Sequence, residues 1–308
     1  MTSMSAITHP PVPGRSPIGQ HKRMVPRWSV IGAPSSAGAR TPGVERAPVA
    51  LRAAGLLSAF DDRGLHVNDF GDVPGFRWRP DLARPAAQNA GPVTRVAADV
   101  AKEVMAAPGV PLVLGGDATV TLGLVAATGS PALVHVAGGP DLGTPDTSPH
   151  GSLGAMLLAH LLGLPGCDPG VAAVAAVPPE RTVAYGFDRP YGDPELDLLN
   201  RLRLTFVPAN EVRTGPAKAA ARARFAAEAM AQNFVVHLDV AVLAFAQAPF
   251  ADLPQAQGLT LQELVETLSV LVASPQFAGL AVTGVNPDHV PPEIGLTPLV
   301  DALATALA

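Results

Sequence analysis

Three groups of side chains in this 308-residue chain have the types and spacing for chemistry. In Leu133-Val134-His135-Val136-Ala137-Gly138-Gly139-Pro140-Asp141, an imidazole and a carboxylate bracket a turn at the end of an apolar run. In His237-Leu238-Asp239-Val240-Ala241 the same two groups recur two residues apart. Side chains alternate along a strand, so His135 shares a face with Ala137, and His237 shares one with Asp239 and Ala241. Two imidazoles and one carboxylate are the donor set of a mononuclear transition-metal site, which His135, His237 and Asp239 could supply. The competing reading is a buried histidine pair satisfied by packing and hydrogen bonds. The third group is His150, a candidate general acid or base with Asp141 or Asp239 to orient it. Alternatively His150-Gly151 is a helix start that shapes a loop without chemistry.

Weaker candidates surround these. Asp117, in Gly115-Gly116-Asp117, is placed to bind a ligand or to tie down the glycine turn through backbone amides. Asp188 and Arg189, beside Tyr191, could recognise an acidic or aromatic ligand, or form a rim salt bridge. Cys167 has no histidine near it in sequence, and Ser35 and Ser36 sit in a glycine loop where serine usually serves turn geometry. No glycine segment carries the lysine or the spacing of a phosphate or dinucleotide loop, and one cysteine makes no zinc motif or internal disulfide.

The elements that must position these groups alternate regularly. Strands are expected at 28–33, 65–70, 111–115, 131–137, 181–187, 204–207, 234–240 and 279–285. Helical periods lie at 47–58, 95–107, 151–163, 217–232, 260–273 and 298–308. This order is the sequence form of a three-layer αβα fold, a mainly parallel eight-stranded sheet with helices on both faces. Proline-rich 74–92 and 164–180 read as loops, so residues 27–308 are expected to form one domain. Residues 1–26 hold five prolines and no acidic residue and are expected to be a disordered tail.

Hydrophobic residues at 48% against 15% charged favour a buried core over a solvated chain. A net charge of −5 with only 5% aromatics leaves no nucleic-acid surface, and no run is long enough for a signal or a membrane span. A cytoplasmic location is the default expectation. Three lysines against eighteen arginines suggest a GC-rich bacterial source.

Several segments together resemble the arginase and agmatinase (ureohydrolase) family, from about Ser29 to the last helix. Ile31-Gly32-Ala33-Pro34 with Pro42-Gly43-Val44-Glu45-Arg46 is similar to the family's first strand, glycine loop and helix. Pro111-Leu112-Val113-Leu114-Gly115-Gly116-Asp117-Ala118 looks like P-L-x-L-G-G-D-H, with Ala118 in place of a ligand histidine. The family's D-A-H-x-D is read here at Ala137, Gly139 and Asp141. His150-Gly151 sits at its H-G pair, whose histidine is an acid/base group. Leu238-Asp239-Val240-Ala241 resembles L-D-V-D, with Ala241 replacing a carboxylate. Val285-Asn286-Pro287 matches E-V-N-P with Gly284 replacing the glutamate that pairs with a guanidinium group.

The resemblance implies a binuclear manganese site, yet of six ligand positions only Asp141 and Asp239 keep a donor. It also makes the strands of His135 and His237 neighbours, with both histidines a layer below the vacated site. No metal and no cofactor is therefore expected, and arginine or agmatine is a poor substrate. The leading expectation is a pseudoenzyme that regulates, scaffolds or binds an unknown small molecule in the vacated pocket. The second is a metal-independent enzyme using His150 as acid/base, in a setting such as small-molecule biosynthesis. The third is a hydrolase with a residual or relocated metal. Asp117, His135, His237, Asp188 and Arg189 are the expected ligand-contacting residues, and the family implies a homo-oligomer, a trimer or hexamer.

Overall fold

Short runs rich in Val, Leu and Ile form most of the expected strands, as buried parallel strands do, while the edge strand at 66–72 is polar and largely exposed. They are β1 (Arg27–Ala33), β2 (His66–Asp72), β3 (Val110–Gly115), β4 (Ala132–Val136), β5 (Thr182–Tyr185), β6 (Thr205–Val207), β7 (Phe234–Asp239) and β8 (Phe277–Thr283). The computed structural model describes residues 27–190 and 192–308; the expected tail and Tyr191 lie outside the described residues. The strands make a single eight-stranded sheet in the order β2-β1-β3-β8-β7-β4-β5-β6, with every pairing parallel.

Parallel neighbours need crossovers, and helices supply them. They are α1 (Ala47–Ala53), α2 (Leu56–Asp61), α3 (Ala90–Ala106), α4 (Thr121–Thr128), α5 (Leu157–Leu161), α6 (Pro169–Ala172), α7 (Pro194–Leu202), α8 (Ala209–Thr214), α9 (Pro216–Met230), α10 (Leu261–Val272) and α11 (Thr297–Leu307). Two cores result, one on each face. Leu51, Phe60, Ala223, Leu268 and Leu303 of α1, α2, α9, α10 and α11 pack with Leu112, Val134 and Val236 of the sheet. Val100, Leu122, Leu158 and Leu199 of α3, α4, α5 and α7 pack with Val113, Leu133 and Val235. The period-2 alternation of β4 and β7 thus directs His135 and His237 to the second face, beneath α4.

Helix boundaries depart from expectation where local backbone or packing overrides periodicity. The helix expected at 47–58 breaks at Gly55, whose φ of 89° suits glycine and ends one helix before the next begins. The 151–163 period becomes a 3-10 turn at Leu153–Met156 followed by the short α5. Helix α4 was not expected because Thr-Leu-Gly-Leu-Val-Ala-Ala-Thr is buried over most of its surface and shows no polar face. Helix α7, outside the expected helical periods, starts with Asp193 accepting from Glu195 N and Leu196 N, with Pro194 in its first turn.

Candidate functional site

The motif residues converge at the carboxyl ends of β1, β3, β4, β7 and β8, where an open α/β sheet places its ligands. A cavity of about 370 Å³ opens there, walled by Asp117 and Ala118 after β3, and by Ala137, Gly139 and Asp141 after β4. Asp239 and Ala241 from β7 and Gly284 after β8 close it, with Gly38 from the first loop. All six positions at which the sequence resembles a metal-ligand set thus line one space.

His150 does not join them. It is exposed and absent from the cavity wall, and its carbonyl accepts from Gln88 Nε2 at 3.2 Å. The expectation that His150 meets Asp141 or Asp239 in the pocket is not matched by its position, since both aspartates line the cavity and His150 does not. Ser152 lines the wall instead, its hydroxyl donating to Gly38 O at 2.7 Å.

Asp117 does the work of the turn. Its Oδ2 accepts from Gly38 N at 3.0 Å and Ser35 Oγ at 3.4 Å, while Oδ1 accepts from Thr119 N at 2.9 Å. Burial pushes its carboxyl up, against the pull of these donors. One carboxylate therefore joins the loop after β1 to the turn after β3. Replacing it orphans buried N–H groups, so Asp117→Ala is expected to lower stability by about 3 kcal/mol, with a reduced urea midpoint as the reading. An unchanged midpoint would show that water replaces the carboxylate at no cost.

His135 and His237 are Cα partners in the β4–β7 pairing, and their rings stack with centroids 4.8 Å apart and planes within 8°. Both are fully buried. The carboxylate brought to them is that of Asp141, whose Oδ2 lies 3.1 Å from His135 Nε2, rather than that of Asp239. His237 Nδ1 is 2.7 Å from Thr121 Oγ1, and burial holds its pKa well below the usual histidine range, with His135 adding to the fall. Asp239 accepts from Ala241 N at 2.8 Å; burial, with Asp141 and Asp252 nearby, pushes its carboxyl up to about 7.

Arg189 reaches the glycine at 139. A Cβ there would lie 2.7 Å from Arg189 Nη2, so a side chain at that position would have to push aside the end of this flexible arginine. Arg189 is held by Glu195 Oε2 at 3.3 Å, and Glu195 Oε1 accepts from Leu142 N at 3.0 Å. Burial raises the Glu195 pKa while Arg189 opposes the rise. Arg189 also lines a second cavity of about 340 Å³, together with Asp188 and Arg213. Asp188 is tied to Arg213 at 2.6 Å and Arg189 to Glu195, so each of these two residues forms its salt bridge with a partner the sequence did not name. Sequence reasoning missed Arg40, Glu195 and Asp252 in the main wall. The Asp193-Pro194-Glu195 helix start was the one signal that could have found Glu195.

The nucleophile candidates stay structural. Burial pushes the Cys167 thiol up to about 11, which leaves almost no thiolate near neutral pH. Ser35 Oγ accepts from Ala37 N at 3.1 Å, and Ser36 Oγ from Trp78 N at 2.8 Å. Next to this region, His160 pairs Nδ1 with Met156 O at 2.8 Å and accepts from Asp168 N on Nε2 at 3.1 Å, using both nitrogens in the neutral form. Burial lowers its pKa. The unfolded chain then binds the extra proton more readily, so stability is complete above about pH 6.5 and falls as pH drops toward the lower folded value. A His160→Gln variant is expected to show a flatter melting-temperature profile between pH 7 and pH 5, and an equal slope in both proteins would contradict it.

The all-parallel eight-stranded sheet with its site at the strand ends defines an arginase-like α/β protein. The arginase family model matches residues 26–301, and the chain belongs to the arginase family. It is 27% identical to an arginase of Brevibacillus brevis over 278 residues, covering 84% of this chain and 90% of that protein. It is 28% identical to arginase-1 of Homo sapiens over 282 residues, covering 87% and 86%. In three dimensions it resembles the arginase of Bacillus caldovelox, with a TM-score of 0.81 at 22% identity over 92% of this chain and 98% of that one. No helix among the described residues is long and apolar enough to cross a membrane.

Proposed function

We propose that this chain is an arginase-family pseudoenzyme that binds a small molecule in the cavity at the strand ends and does not hydrolyse guanidinium compounds. The observation that carries this reading is the composition of the wall: Ala118, Ala137, Gly139 and Ala241 line the cavity and carry no side-chain donor atom. By the resemblance these four stand where manganese ligands belong, and a manganese pair needs hard oxygen and imidazole donors to make its hydroxide. Asp141 and Asp239 alone do not fit a binuclear ion pair. Gly284 likewise supplies no anion for a guanidinium, and a buried cation without a partner is strongly disfavoured.

What remains suits a ligand with both charges. Arg40 and Arg189 offer cations, Asp239, Asp252 and Glu195 offer carboxylates, and the alanines and glycines between them leave room for an apolar body. Metal-independent proton transfer is the second reading. In it Asp239, which lines the cavity, takes the role that the sequence suggested for His150. The test pairs a urea-release assay on manganese-loaded protein with thermal-shift titrations of zwitterionic, cationic and anionic metabolites. Zwitterions alone are expected to raise the melting temperature. Urea release, or no shift with any class, overturns the proposal.

A further inference from the structure

We propose that His135, His237 and Asp141 hold a single divalent transition-metal ion, of the zinc, iron or cobalt class, behind the wall of the cavity. One ligand atom from each of the three lies within 4.8 Å of the others. The donor set is two imidazoles and one carboxylate, which suits such ions better than the oxygen-only sets of magnesium or calcium. The site stands apart from the question of whether the cavity takes a small molecule, and it is mononuclear.

The buried nitrogens provide the independent reason. His135 and His237 are both 0% exposed, yet His135 Nδ1 and Nε2 and His237 Nε2 have no hydrogen-bond partner among the described residues. Buried polar atoms normally find partners, and a group left without one calls for an explanation such as an ion. The approach of Asp141 Oδ2 to His135 Nε2 is close in distance but lacks hydrogen-bond geometry. A cation between the two is a better use of that gap than a bent hydrogen bond.

The surroundings prepare these donors. With His237 Nδ1–H donating to Thr121 Oγ1, 2.7 Å away, Nε2 is the nitrogen that keeps the lone pair, the tautomer that an outer hydrogen bond selects for a metal-bound imidazole. Asp141 reaches the histidines from a left-handed backbone with φ of 49°, a conformation that non-glycine residues seldom hold. Metal–ligand bonds of about 2.0–2.1 Å would require the widest donor pair, now up to 4.8 Å apart, to close to roughly 4.2 Å.

The experiment uses the full chain without an affinity tag, stripped with a chelator, loaded separately with zinc and cobalt(II), desalted and analysed by inductively coupled plasma mass spectrometry. Near-stoichiometric metal is expected, with cobalt ligand-field bands in the visible. His135→Ala and His237→Ala should each weaken cobalt binding by more than the roughly 10–100-fold expected of Thr121→Val, which removes only the outer partner. Cys167→Ser should leave it unchanged. Metal-free protein after desalting, or metal retained undiminished in both histidine variants, overturns the proposal. Should those variants fail to fold, paramagnetically shifted imidazole protons in the cobalt form of the unaltered protein decide it. Two shifted rings support the site, and none overturns it.

Discussion

Protein loaded with manganese and given arginine, agmatine or another guanidinium compound is expected to release no urea above the uncatalysed background. Enzymatic accelerations are at least about 10⁶-fold, and in a metal hydrolase much of that comes from the metal-bound hydroxide and the clamp on developing charge. On the proposed reading, Ala118, Ala137, Gly139 and Ala241 line the space without offering a manganese pair the donors that would generate that nucleophile. Restoring donors by Ala118→His, Ala137→Asp and Ala241→Asp is expected to recover manganese binding only in part, because Gly139→His must first displace Arg189. The guanidinium is the flexible end of a long side chain, so adding Arg189→Ala to the four substitutions should raise manganese content further. Chelator-sensitive urea release from the unaltered protein would refute this account at once.

Gly284→Glu, the change that would return an anion to the guanidinium pocket, is expected to destabilise the fold by about 4 kcal/mol. Two costs combine. The residue has φ of 79°, and a non-glycine side chain held there costs about 1–3 kcal/mol. Its Cβ would lie 2.3 Å from Asp239 Oδ1, an overpacking that adds about 1–3 kcal/mol. The backbone has little freedom to relax, since Gly284 N donates to Gly116 O at 2.9 Å and Gly284 O accepts from Asp252 N at 2.8 Å. Urea unfolding of Gly284→Glu, Gly284→Ala and Gly284→Glu with Asp239→Ala separates the parts, because residues in contact couple. The double variant should recover the overpacking share and leave the backbone share. A Gly284→Glu protein as stable as the parent would show that this loop moves freely.

The thermodynamic tests at Asp117 and His160 address the same architecture from its supports. Asp117 fastens two loops of the wall to each other, and His160 fastens α5 to the loop before α6. Neither needs to touch a ligand to matter for the site. Each works by using buried acceptors or donors fully, which is why its removal is costly.

Most strands were legible in the sequence because a buried parallel strand is a continuous apolar run, and the residues at the ends of those runs carry the family pattern; β2, a largely exposed edge strand of sequence HVNDFGD, is the exception to that reason. The missing donors were legible too, since an alanine or glycine has no ligand atom in any fold. Face direction also came from the sequence: period-2 alternation puts His135 and His237 on one side of the sheet. Only the tertiary structure decided the partners. Register between β4 and β7 stacked the two rings, and the left-handed turn at Asp141 brought that carboxylate to them instead of Asp239. Loop paths kept His150 outside the cavity, and they carried Arg189 and Glu195 into its wall. Periodicity reports the direction of a side chain within its own element. How far a loop reaches, and what it meets, depends on hydrogen bonds and packing between segments distant in the chain.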